Sequence, residues 1–179
     1  MTSSAIPVYL PRPPTFDGPP TSTAGNWSTP PTVIQLFGPG VKKPGDIVQS
    51  LYMESTAQTQ NSSATPVNTQ ATLSITPTSA ANVVRATSTG TLYSDTAGAG
   101  ALAQIYRGST AVGTVAEAFG GSGAAIASAT MVAIDHPNSV APVNYTTKLY
   151  MNVTGTPIGS FPLSGSGRNV NMLLEEIMG

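Results

Sequence analysis

No cysteine occurs among the 179 residues, which excludes disulfides, zinc–thiolate sites and thiol catalysis. Charge is almost as scarce. Lys, Arg, Asp and Glu make up 8% of the chain, with a net charge of −1, where a typical soluble domain carries about 25% charged residues. Such a neutral surface offers little to a phosphate backbone, so nucleic acid is not an expected partner. No apolar run approaches the length of about 18 residues needed to span a bilayer, and Pro7, Pro11, Pro13 and Pro14 interrupt any signal-peptide core. A membrane is not an expected partner either. Leu, Ile, Val and Phe together supply only 37 of the 179 residues, a thin stock for one core. Assembly with further copies is the natural remedy, because subunits bury apolar strand faces against one another.

Proline is abundant and unevenly placed. Ten of the sixteen prolines precede Gly45. Proline lacks a backbone N–H and holds φ near about −65°, so this stretch is confined to extended or turn conformations. Residues 1–44 are therefore expected to form an extended, Pro-rich N-terminal arm, and residues 45–179 the folded domain. Within the arm, "TVIQLFG" (Thr32 to Gly38) is the one plausible strand. Tyr9, Phe16, Trp27 and Phe37 are aromatic anchors in an otherwise polar ribbon. Burying a large apolar side chain is worth about 1.5–3 kcal/mol, so four such residues point to docking on a partner rather than to a solvated linker. Proline stiffens the ribbon beforehand and reduces the entropy lost on docking.

After Gly45 the apolar period is two. In "DIVQSLYMES" Ile47, Gln49, Leu51 and Met53 share one face, while Val48, Ser50, Tyr52 and Glu54 share the other. "ATLSITP" and "VVRATSTGTLYS" continue the pattern, and Gly90 in the latter signals a bulge or a close approach by another backbone. "ALAQIYRGSTAVGTV" reads as a hairpin turning at Gly108-Ser109. The run from Ile126 to Ile134 is a strand ended by His136-Pro137, and "NYTTKLYMNVTG" places Tyr145, Thr147, Leu149, Met151 and Val153 on a buried side. The terminal "NVNMLLEEIMG" lacks an apolar stripe at helical spacing. As a strand it sets Val170, Met172, Leu174, Glu176 and Met178 on one face. Short strands separated by turn signals every ten to fifteen residues predict an all-β fold, an antiparallel β-sandwich of jelly-roll-like kind.

The pieces "GDIVQS", "LSITPTSAANVV", "QIYRGST", "AIDHPNS", "YTTKL" and "LLEEI", in that order, resemble the β-rich C-terminal domain of marine tailed-phage structural proteins. Asp135-His136-Pro137 matches the Asp-x-Pro step that follows a strand in that family, and Glu175-Glu176-Ile177 matches its apolar ending loosely. The resemblance covers residues 45 to 179. It implies a virion component such as a head decoration, head fibre, tail fibre or spike tip, and it brings no catalytic motif with it. It also favours a homotrimer. The Pro-rich leader departs from the long shafts that precede such domains, which favours a small appendage attached directly to a capsid or tail protein through residues 1–44.

Residues capable of chemistry are few. His136 is the sole histidine, and its place between a strand end and Pro137 accounts for it as a turn residue. No spacing among the acids marks a glycosidase pair. Asp95 in "YSDTAGAG" has the chemistry of a calcium ligand, but one carboxylate is a weak cage and a turn explains it. "GAGALA" and "GGSGAA" lack the lysine of a phosphate-binding loop. Arg85 and Arg107, inside strands, are expected to face solvent or pair across a subunit boundary. Tyrosines alternating with aliphatics point to core or interface. The sequence thus predicts a non-enzymatic virion structural protein without a cofactor. The alternatives are a receptor-binding module gripping host surface glycan through loops Ser94 to Gly100 and Phe119 to Gly123, or an enzyme acting on the host envelope.

Overall fold

The computed structural model describes residues 42–153, 158–163 and 168–179. Among them there are ten strands and no helix. They are β1 (Ile47–Ser55), β2 (Thr59–Asn61), β3 (Val67–Ile75), β4 (Val83–Ser94), β5 (Ala99–Arg107), β6 (Thr110–Gly120), β7 (Ala125–Asp135), β8 (Val143–Met151), β9 (Gly159–Phe161) and β10 (Val170–Ile177). Every pairing is antiparallel.

Two sheets pack face to face as a β-sandwich. In the first, β4 is central. From Val84 to Ser94 it pairs with β7 on one side, while its other side is shared by β10 and then β9. Beyond these lie β1, against β10, and β2, against β9. The second sheet runs β3-β8-β5-β6. The alternation read from the sequence decides which residues meet between the sheets. On β7, Ala129, Met131, Ala133 and Asp135 are buried and Ser128, Thr130, Val132 and Ile134 are exposed. On β10, Val170, Met172, Leu174 and Glu176 point inward, as expected for a strand.

Among the described residues, eight of the twenty-one buried apolar residues are alanine. The core therefore closes with small side chains around a few large ones, Tyr145, Phe161, Met131, Met151 and Met172 among them. Polar groups inside it are matched. Thr147 donates to Ser88 Oγ at 2.8 Å across the two sheets, and no buried side-chain nitrogen or oxygen among the described residues lacks a partner.

The hairpin turns at Gly108-Ser109 as expected, with Arg107 opposite Thr110. Gly90 differs from expectation. The ladder between β4 and β7 runs through it without a bulge, and the close neighbour is a side chain: a Cβ there would stand 2.7 Å from the buried Phe161 ring. The short strands β2 and β9 carry no pattern that three residues could reveal.

Candidate functional site

Three carboxylates organise the domain. Glu176 lies on the inward face of β10 with no exposure at all. Its Oε1 accepts from the Thr78 amide at 2.7 Å, the Thr78 hydroxyl at 2.8 Å and Asn82 Nδ2 at 2.6 Å. Its Oε2 accepts from Gln49 Nε2 at 2.6 Å. Burial alone raises the Glu176 pKa. The bonds from Asn82, Gln49 and Thr78 outweigh it and hold the carboxyl below its ordinary 4.5. Asn82 also accepts from the Gly179 amide through Oδ1. One side chain thus fastens the β3–β4 loop, the edge strand β1 and the C-terminus together.

Asp135 closes the opposite side. Its Oδ2 takes a bond from the Tyr145 hydroxyl at 2.6 Å and from Arg107 Nη1 at 3.0 Å. These residues belong to β7, β8 and β5, so the tie spans both sheets. Tyr145 is fully buried. That burial, reinforced by the bond to Asp135 and its charge and opposed by Arg107, drives the phenol far above its ordinary 10.0. Glu175 pairs with Arg85 at 2.6 Å across the β10–β4 ladder. Both arginines therefore pair within the chain, while their side chains stay 43% and 33% exposed. Adjacent strand residues point to opposite faces, so Glu175 and Glu176 cannot converge on one substrate.

The remaining sequence candidates are similarly occupied. His136 is an exposed residue directly after β7 whose carbonyl accepts from Arg107 and Asn138. Asp95 Oδ1 accepts from the Ile158 amide and the Thr96 hydroxyl, each at 2.7 Å, and these bonds lower its pKa against a small effect of burial. It ties the start of β9 to the end of β4. The loop Ser94 to Gly100 is pinned at both ends. Ser94 donates to the Ala99 carbonyl, and the Gly100 amide donates to Asn152 Oδ1. Ser94, Ala99 and Gly100 are buried, leaving Ala97 and Gly98 outermost. Gly121 to Gly123 are exposed beside Phe119.

The surface feature that stands out is the outer face of the first sheet. Tyr52, Leu173, Thr87 and Val132 form one row across four strands. Ser50, Glu175, Arg85 and Ile134 form the next. Tyr52 is 47% exposed and Ile134 58%. Lys42 lies beside β1. Tyr9, Phe16, Trp27 and Phe37 lie outside the described residues.

Sequence reasoning missed the Glu176 cluster and the Asp135–Tyr145 bond. The first had a signal: an acid on the otherwise apolar face Val170, Met172, Leu174. No known protein-family model matches this chain, and no curated protein matches it.

Proposed function

We propose that the chain is a non-enzymatic structural protein of a tailed-phage virion, a surface appendage on the head in which the β-sandwich projects and the Pro-rich leader holds on. The observation that carries this reading is that the buried acids and their arginine partners are all committed to holding strands together. Glu176, Asp135 and Glu175 fasten loop, edge and sheets. What faces outward is neutral and partly apolar, suited to contact with other protein surfaces.

In this reading three copies assemble, and Tyr9, Phe16, Trp27 and Phe37 fill pockets on a capsid or tail neighbour. Host glycan is the weaker partner, because the Ser94 to Gly100 loop has its polar groups engaged internally. Deleting residues 1–31 tests the proposal. The circular dichroism spectrum and thermal midpoint of the domain should stay unchanged while incorporation into particles is lost. Normal incorporation of the truncated chain sinks the anchoring role.

A further inference from the structure

The two sheets treat their charges differently. On the first, Glu175 and Arg85 oppose one another on neighbouring strands and pair at 2.6 Å. The four strands of the second sheet carry three charged residues, Arg107, Lys148 and Glu117. Arg107 is taken by Asp135. Lys148 and Glu117 lie on the outer face, on β8 and β6, with β5 between them. Lys148 opposes Gln104 and Glu117 opposes Leu102, so they also stand one row apart.

The two charges lean away from each other. Lys148 Nζ lies over the ring of Tyr106, 4.5 Å from its centroid, on the row beyond Gln104. Glu117 folds the opposite way, over Gly100, where a Cβ would run into its carboxylate. Among the described residues Glu117 is the one acid whose carboxylate takes part in no hydrogen bond or ion pair, whereas Asp46, Glu54, Asp95, Asp135, Glu175 and Glu176 each have a partner. Lys148 meets an aromatic ring and no carboxylate. Around these charges the face is apolar. Phe119 is 53% exposed and Val115 48%, both on the same side of β6 as Glu117. Leu102 and Tyr150, which share the row of Glu117, are half-buried. A chain short of large apolar residues thus spends two of them on the surface of a single strand, which suits contact with another protein surface.

We propose that copies of this chain meet through the outer face of the second sheet, with Glu117 of one copy against Lys148 of the next and Phe119, Val115 and Tyr150 covered around them. The face is complementary to itself, since it carries one acid and one base that do not pair within the chain. Acid and base belong to different strands, so each copy presents one to each neighbour, and three copies satisfy every charge in a closed ring. The inference rests on the reading that copies assemble and adds the face they use. It holds whether or not the assembly sits on a particle.

Charge reversal tests the contact in the full chain, followed by sedimentation velocity across the micromolar range. Glu117→Lys and Lys148→Glu should each weaken association at least about tenfold, and the two together should recover it, because the pair is restored with its sense reversed. Recovery also excludes misfolding as the cause of the loss in the single variants. Phe119→Ser should weaken association as well, whereas Ile134→Lys, on the first sheet, should leave it unchanged. Added salt should weaken the parent and the double reversal alike. Single reversals that associate like the parent, or a double reversal as weak as the singles, would overturn this face while leaving assembly itself standing. A parent chain that stays monomeric throughout would overturn the assembly and the contact together.

Discussion

The β7 and β1 margins of the first sheet solve the same problem by different means. Strand β7 lies against its hairpin partner from the other sheet, with the Val132 amide donating to Thr114 Oγ1 at 3.0 Å, and its last residue, Asp135, is gripped by Arg107 and Tyr145. On strand β1 Lys42 Nζ donates to the carbonyls of Ile47 and Val48, and the acid beside it, Glu176, is held by neutral amides and a hydroxyl. The lesson is that one margin is closed by local chain order and a charged tie between sheets. The other relies on hydrogen bonds to residues distant in sequence.

Removing the acid at each margin should separate them most sharply. Glu176→Ala strands the Thr78 amide, Asn82 and Gln49 without their acceptor, so a loss of about 3–5 kcal/mol in urea unfolding is expected. A loss below about 1 kcal/mol would mean that water replaces the carboxylate and that the cluster is dispensable. At the other margin, Tyr145→Phe removes one bond to a charged group and should cost about 1.5–3 kcal/mol, with Asp135 still held by Arg107. If Tyr145→Phe proves the more damaging, the ranking of the two margins is reversed.

Acid should distinguish them as well. Because Glu176 has a folded pKa below its ordinary 4.5, the unfolded chain binds the proton more readily. Its contribution is complete above about pH 5 and is lost as pH falls through the depressed value. Asp95 adds a contribution of the same sign. The fall in thermal midpoint between pH 5 and pH 3 should be smaller in Glu176→Gln than in the parent chain, and an unchanged slope would remove Glu176 from the account. The smallest effect belongs to the outer face. Ile134→Lys, at a site 58% exposed, should move unfolding by no more than about 0.5 kcal/mol. A larger change at micromolar concentration, absent on dilution, would show that this face is covered by another copy.

Much of the fold was legible beforehand. The long strands, the hairpin at Gly108-Ser109 and the terminal strand through Leu174 all follow from an apolar period of two, which any short window displays. The acids that Arg85 and Arg107 meet were not legible, because a strand position tells which face a guanidinium occupies and nothing about the acid opposite. Gly90 was recognised as a close approach, but the Phe161 ring that requires it lies in a three-residue strand without a pattern of its own.

The sequence by itself determined the all-β class, the inward and outward faces and the lack of any thiol chemistry, since these depend on composition and on neighbours one or two residues apart. Tertiary structure alone decided how the strands divide between two sheets and where the buried acids find their donors. Thr78 and Glu176 stand 98 residues apart in the chain. A bond of that span leaves no periodic trace in the sequence, because its geometry exists only once both strands are already in place.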